Sequence, residues 1–170
     1  MSSRTRLLPV LLLLLAGCAG SRVSRMHVDA PIHSVSTIAL APSGGLLADA
    51  IGVELFNRGI TVIDTHATSQ MLVRLNLSEV EIMRPQHLSS LRDEKIDAYL
   101  SARSAAGMDG RPQSASVRLN STHTGQILAG VTWQNGWGGM HGSIADRLMR
   151  KDLNQAAQDI ARELMKQLDG

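Results

Sequence analysis

Apolar positions change their period several times along the chain, and each period predicts a different element. Residues 35–41 (VSTIALA) are β-branched and apolar, which predicts a strand, and the PSGG that follows predicts a turn. Residues 45–57 are apolar around much of a helical circumference, with leucine or isoleucine at every fourth position. This pattern predicts a buried helix, and Gly59 just beyond it is typical of a helix C-terminus.

The next segment predicts shorter elements. Residues 60–63 form a β-branched run that predicts a short strand. Asp64 and Thr65 are N-cap candidates for a helix over residues 68–77. Pro85 interrupts the helical pattern, and the sequence QHLSSLRDEK after it predicts one more short helix.

Strict alternation of apolar and polar residues marks three later strands, over residues 98–103, 115–120 and 127–133. One apolar side per strand predicts a sheet packed on one face, and Trp133 continues the apolar phase and is predicted to be core. Gly125 suits the hairpin turn between the last two strands, and an apolar stripe predicts a helix over 143–168. The order is βαβ(αα)βββα, which predicts a single α/β domain with helices packed on a mixed sheet.

The N-terminus predicts export. Arg4 and Arg6 precede an apolar run over residues 7–15, which is shorter than the ~20 residues of a membrane-spanning helix. The sequence LAGC ends at Cys18, the only cysteine, so that no internal disulfide can form. The alternative is an ordinary secretory signal with a chance cysteine.

LAGC resembles a bacterial lipoprotein signal. The resemblance implies that residues 1–17 are removed, that Cys18 carries acyl chains, and that residues 18–34 form a short tether before a periplasmic domain over 35–170. Because Ala19, and not an aspartate, follows the cysteine, the same analogy implies the periplasmic face of the outer membrane. A multiply acylated cysteine is a stable anchor.

The charge of the mature chain argues against two classes of partner. Removing residues 1–17 takes away two arginines and no acid, which leaves 15 basic and 15 acidic residues. A balanced charge argues against nucleic acid and against a polybasic lipid-binding surface. Only four aromatic residues occur in the chain, so the core must be aliphatic.

Several motifs together resemble one family. They are STIALAP, LLADAIGVELFNRGITVID, IDAYLSAR, ASVRLNSTHTGQILAG and an alanine-rich last helix, and they cover roughly residues 35–168. The pattern resembles the domain shared by the curli-secretion lipoprotein, the lipoprotein activators of penicillin-binding proteins and the amino-terminal domain of TolB. The chain lacks the pore hairpins of the first and the long Pro-rich tether of the second, and Asn120 or Ser121 stands where the family has aspartate. The resemblance therefore implies a periplasmic adaptor domain.

Catalytic and cofactor motifs are weak. Ser43–Gly45 lies between a strand and a helix but lacks the spacing of a phosphate-binding loop, so a plain turn is favoured. Asp64, His66 and Ser43 could be imagined as a hydrolytic triad, but helix capping explains the aspartate without chemistry. The six histidines show no metal-ligand spacing. We predict no enzyme activity, no metal and no cofactor.

The sequence WQNGWGGMHG (residues 133–142) holds both tryptophans. Asn135 ends the last strand, and Trp137 lies among glycines that cannot shield it. Trp137, with Asn135 and Met140, is the candidate partner-binding site, because tryptophan is enriched at interface hot spots. The alternative is that Trp137 folds back onto the core.

These features predict a non-enzymatic outer-membrane lipoprotein that acts as an assembly or adaptor module in envelope assembly or secretion. Its partner would be an envelope protein or a second copy of the chain. The alternatives are a periplasmic small-ligand-binding lipoprotein, with glycine-rich turns at its mouth, and a periplasmic hydrolase.

Overall fold

The fold is that of a computed structural model, which describes residues 21–25, 34–82, 84–107, 109–136 and 143–169. A 3-10 turn at Pro42–Gly44 precedes the first helix. In chain order the strands and helices are β1 Arg22–Arg25, β2 Thr37–Leu40, α1 Gly45–Phe56, β3 Thr61–Ile63, α2 Thr65–Arg74, α3 Glu79–Ile82, α4 Pro85–Asp93, β4 Ala98–Ala106, β5 Pro112–Ser121, β6 Ile127–Gln134, α5 Ile144–Met149 and α6 Leu153–Leu168.

All six strands join one mixed sheet in the order β1-β6-β5-β4-β2-β3. Strand β2 runs parallel to β3 and to β4, whereas β4, β5, β6 and β1 pair antiparallel. The parallel pairs need crossover connections, which the helices between β2, β3 and β4 supply. The predicted fold class, a single mixed sheet with helices packed on it, is confirmed.

Local signals set most element boundaries. Asp64 caps α2, where its Oδ1 accepts a hydrogen bond from the backbone N–H of Ala67 at 2.7 Å. The helix therefore begins at Thr65, three residues before the predicted start. Beyond α1 the chain turns at Gly59, whose φ is 91°. In the hairpin between β5 and β6, Gly125 takes a φ of 74°, as that turn requires.

The long helix predicted over residues 143–168 is two helices. Ser143 caps α5, and the chain becomes extended at Arg150, with φ −74° and ψ 125°. Asp152 and Gln155 then form a reciprocal capping box, which starts α6 at Leu153. The apolar stripe could not show this break, because the second cap lies within a continuous helical period.

A large core lies between one face of the sheet, here called the first face, and helices α1 and α6. Its members are inward side chains of all six strands, those of β1 and β3 being only partly buried, together with one stripe of each helix. Trp133 is fully buried there, as its phase predicted. The largest of the other buried side chains are Ile38, Leu40, Ile51, Leu55, Leu100 and Leu119.

A second, smaller core lies on the opposite face. Tyr99 of β4 and Ala39 of β2 point to this second face, where they pack against α2, α3 and α4. Packing on one face is therefore the wrong prediction for β4, because Tyr99 alternates with the apolar side and is buried as well. Strands β5 and β6 contribute no residue to this second core within the described chain.

Strand β1 lies inside the segment that was predicted to be a tether. Val23 pairs with Trp133 of β6 and packs on the first face, whereas Arg22 and Ser24 point to the second face. Arg25 forms an ion pair with Glu163 of α6. Four residues with a single apolar side chain are too few to predict a strand from the sequence. Pairing with β6 stabilises the extended conformation that the local sequence does not indicate.

Candidate functional site

The described part of the chain contains a groove beside the outer strand β3. Leu40, Gly52 and Val62 are among its lining residues, and the groove has a volume of about 460 Å³. Gly52 shapes it, because a Cβ at this position would approach Leu40 Cδ1 to 2.6 Å and Val62 Cγ1 to 3.1 Å. Glycine at this position therefore lets helix α1 lie close to the sheet without displacing the Leu40 and Val62 side chains.

Helix α1 presents apolar side chains to solvent along this groove. Val53 and Phe56 line it and are 60% and 67% exposed, and Leu46, two turns before Val53, is 77% exposed. The prediction of a wholly buried helix is wrong on this side, since only the face of Leu47, Ile51 and Leu55 meets the core. A solvent-facing helix stripe is ordinarily polar, so contiguous exposed apolar residues mark an interaction surface.

The rim of the groove is polar and acidic. Asp49 Oδ1 accepts hydrogen bonds from Thr65 Oγ1 at 2.9 Å and from Thr65 N at 3.5 Å. Asp64 is occupied in capping α2, and His66 Nε2 lies 3.0 Å from Gln70 Nε2. Two carboxylates thus stand beside the apolar wall, at the N-terminus of α2. The groove suits an apolar side chain carried by a neutral or basic segment.

The imagined hydrolytic triad is not assembled. Ser43 lies outside the groove that holds Asp64 and His66, and its Oγ donates a hydrogen bond to Glu79. The backbone N–H of Ser43 also donates to Glu79, at 2.9 Å. Because a carboxylate already occupies this turn, Ser43–Gly45 has the geometry of an anchored turn and not of an anion site.

Asn135 is engaged within the domain. Its Nδ2 donates to the carbonyl oxygens of Pro112 at 2.7 Å and Lys151 at 2.9 Å, and its Oδ1 accepts from Lys151 N at 2.9 Å. The amide therefore ties the end of β6 to the segment between α5 and α6. Trp137 and Met140, the other members of the predicted site, lie outside the described residues, and so does Cys18.

Metal ligands do not gather in the residues that the structure describes: no group of three or more histidine, cysteine, aspartate or glutamate side chains has a metal-binding arrangement there. His27, His33 and His141 lie outside those residues. Nor is any helix in the described ranges long and apolar enough to cross a membrane.

Sequence reasoning missed the groove, although a signal was present. Helix α1 keeps Leu47, Ile51 and Leu55 on one face, which places Val53 and Phe56 on another. A helix covered on every side is rare in a domain with one sheet, so a second apolar stripe indicates either a further layer or an exposed patch.

The chain is therefore an α/β domain with one mixed sheet and an apolar groove at its β3 edge. No family model matches the chain, and no curated protein matches its sequence. PelC from Paraburkholderia phytofirmans, whose structure is a dodecamer, is similar at 15% identity and a TM-score of 0.49, over 88% of this chain and 98% of that one.

Two further solved structures are similar. Lipoprotein GNA1162 from Neisseria meningitidis has 16% identity and a TM-score of 0.46, over 66% of this chain and 90% of that one. The C-terminal domain of LpoB from Salmonella enterica has 15% identity and a TM-score of 0.42, over 74% and 92%. The likeness is one of fold alone.

Proposed function

We propose that the mature chain is a non-enzymatic lipoprotein, anchored through Cys18 at the periplasmic face of the outer membrane, that works as an assembly or adaptor module. Its partner is an envelope protein or a second copy of the chain. One observation carries the proposal: Val53 and Phe56 form an exposed apolar wall beside a groove at the edge of the sheet. Apolar side chains in this setting lose contact with water only when a partner covers them.

Phe56 is the residue whose loss tests the groove. We expect Phe56→Glu to weaken the partner complex by at least about tenfold, since hot-spot aromatics at interfaces cost ~2 kcal/mol or more when removed. Val73→Glu is the matched control, because Val73 is 77% exposed on α2 and does not line the groove. The measurement is crosslinking in intact membranes, followed by purification of the lipoprotein and identification of what it retains.

Two results would contradict the proposal. A strictly monomeric protein with no specific crosslinked partner would exclude an adaptor role. Equal losses for the Phe56 and Val73 variants would exclude the groove as the contact. In the same experiment Trp137→Ala tests the glycine-rich segment, where a weaker complex with unchanged folding would identify a second contact and unfolding would place Trp137 in the core.

The groove also favours a second candidate function, binding of a small periplasmic ligand. Its volume of about 460 Å³ falls within the ~300–1,000 Å³ of ordinary ligand sites. A ligand would raise the melting temperature of the wild type and leave that of Phe56→Glu unchanged. A flat thermal response to a broad metabolite screen would exclude this function.

A further inference from the structure

No described helix packs on the second face of the sheet where its strands are antiparallel. The helices that pack on this face lie over β2 and the first residues of β4. Further along, β4, β5, β6 and β1 turn polar side chains outward, and none of the second core's residues comes from β5, β6 or β1. We call this surface the open face. Its principal residues are Arg22, Ser24, Arg103, Ser116, Arg118 and Thr132.

Strand register brings these side chains together. Arg103 of β4 lies opposite Ser116 of β5, and Arg118 is two residues further along β5. The two arginines are therefore diagonal neighbours, about 7–8 Å apart across the strands. Ser116 is opposite Thr132 of β6, which is opposite Ser24 of β1. Hydroxyl groups thus form a row between the paired arginines and Arg22.

The open face carries positive charge without compensation. Arg22, Arg103 and Arg118 are exposed and make no ion pair with any described residue. The outward positions of the four strands hold no aspartate or glutamate. Several other arginines of the described chain form ion pairs, for example Arg74 with Glu94 at 2.9 Å. The open face is therefore locally positive, although the mature chain has equal numbers of acids and bases.

The lipid anchor of the proposed function determines which surface the open face contacts. Cys18 precedes Arg22 by four residues, and four residues span at most about 14 Å. Strand β1 starts at Arg22, so that one corner of the open face is held close to the anchored sulfur. The first face would bind an anionic surface less strongly, because basic residues beside its helices α1 and α6 are paired with acids on those helices, as in Arg58–Glu54 and Lys151–Asp159.

We propose that the open face lies on the membrane and binds anionic phospholipid headgroups. Guanidinium groups form paired hydrogen bonds with phosphate oxygens, and serine and threonine hydroxyls add further donors. Attraction of this kind acts within a Debye length of the surface, about 8–10 Å at physiological salt. The short tether lets the open face lie against the surface, where the arginines come within that range, so that binding sets the orientation of a domain that the acyl chains already hold. The charge balance that argues against a lipid-binding surface describes the whole chain and not this face.

The test uses the intact acylated lipoprotein in vesicles. Cys18 is the only cysteine, so an introduced cysteine is the sole free thiol once the anchor is attached. A fluorophore at Gln134→Cys, an exposed position of β6 on the same side as Thr132 but outside the hydroxyl row, reports the open face, and one at Gln158→Cys, an exposed position on α6, reports the opposite side. Headgroup-labelled quencher lipid measures how close each fluorophore lies to the bilayer, in phosphatidylethanolamine vesicles with or without phosphatidylglycerol.

We expect the Gln134 label to be quenched more than the Gln158 label in vesicles that contain phosphatidylglycerol. The double variant Arg103→Glu with Arg118→Glu should lower the equilibrium constant for the orientation with the open face on the membrane, as read from the quenching, by at least about fivefold. One arginine near an anionic surface contributes about this factor. The matched control is Arg84→Glu with Arg92→Glu, which changes the net charge equally at exposed sites off the open face. About 1 M salt, with a Debye length of ~3 Å, should mimic the first double variant.

The outcomes separate this inference from the proposed function. A protein without acyl chains, or one that fails to enter vesicles, contradicts the anchor itself. An anchored protein whose two labels are quenched equally overturns the orientation. Equal effects of the two double variants, or equal quenching without phosphatidylglycerol, overturn the role of the arginines and of anionic headgroups.

Discussion

The two halves of the sheet show how connection type determines which faces are covered. Around β2, β3 and the start of β4 the strands are parallel, and helices pack on both faces. Around β5, β6 and β1 the strands are antiparallel, and helix α6 covers the first face only. Parallel strands need long crossovers that place helices on the sheet, whereas a short hairpin brings none.

The same contrast divides the chemistry of the surface. In the parallel half the second face is apolar and buried, with Ala39, Leu91 and Tyr99 fully inaccessible. In the antiparallel half the exposed equivalent positions include arginine, serine and threonine. Partner surfaces are therefore expected at the uncovered edges of the structure: the apolar groove beside β3 and the arginine-bearing open face at the other end of the sheet.

The two halves should differ most in how much a truncated side chain on the second face lowers the free energy of unfolding. Leu91→Ala tests the parallel half, and Thr132→Ala is its matched control in the antiparallel half. Leu91 of α4 is fully buried on the second face of the parallel half, and Thr132 is exposed on the same face of the antiparallel half. We expect the free energy of unfolding to fall by about 2–5 kcal/mol for Leu91→Ala and to change by less than about 0.5 kcal/mol for Thr132→Ala. Urea denaturation measures both, and similar losses would show that the open face is covered in the folded protein.

Much of this arrangement follows from sequence periodicity. The strands, the hairpin glycine and the Asp64 cap depend on residues near one another in the chain, so local patterns predict them. The burial of Tyr99 was not predicted, because it depends on packing against α2, α3 and α4. An alternating pattern within one strand does not indicate that helices cover its second face. The exposure of Phe56 was missed for the opposite reason, since an apolar residue does not reveal whether a layer covers it.

The candidate site shows the same limit. Helix capping by Asp64 could be predicted, as could the lack of a nucleophile motif around Ser43. The β3 groove could not, because it arises where Gly52 lets α1 approach Leu40 and Val62, which are distant in sequence. Strand β1 likewise depends on long-range pairing with β6 and on polar contacts to α6. Neither can be predicted from the local sequence of this segment.

A smaller effect is expected where polar contacts hold β1 to the antiparallel half. Asp159 Oδ2 accepts hydrogen bonds from Ser21 Oγ at 2.6 Å and from Trp133 Nε1 at 3.3 Å, and Lys151 Nζ donates to the same oxygen. We expect Asp159→Asn to lower the free energy of unfolding at neutral pH by about 1–3 kcal/mol, since it removes charge-assisted hydrogen bonds. Chemical denaturation measures the change.

The pH dependence of that loss identifies its electrostatic origin. Burial raises the pKa of Asp159, but the hydrogen bonds and the charge of Lys151 outweigh burial and hold the pKa below its ordinary value. A carboxyl whose folded-state pKa is lowered stabilises the fold above the unfolded pKa, about 3.9, and ceases to do so as the pH falls through the lowered value. The difference between wild type and Asp159→Asn should stay constant from about pH 7 to about pH 5 and shrink below that. A difference that does not vary with pH would mean that the aspartate acts by shape alone.

The smallest expected effect lies on the covered face, where a polar atom is buried. The hydroxyl of Tyr99 has no hydrogen-bond partner within the described residues, and burial, with a smaller contribution from Glu79, raises the pKa of Tyr99 above its ordinary value. A buried, unpaired hydroxyl costs about 1–3 kcal/mol of desolvation. Tyr99→Phe should therefore raise the free energy of unfolding by about 1 kcal/mol, less than the full desolvation cost because the ring repacks around the missing oxygen. Thermal and urea unfolding measure the gain, and a loss of similar size would show that the hydroxyl is hydrogen-bonded and that the covered face contains a polar contact like those that hold β1.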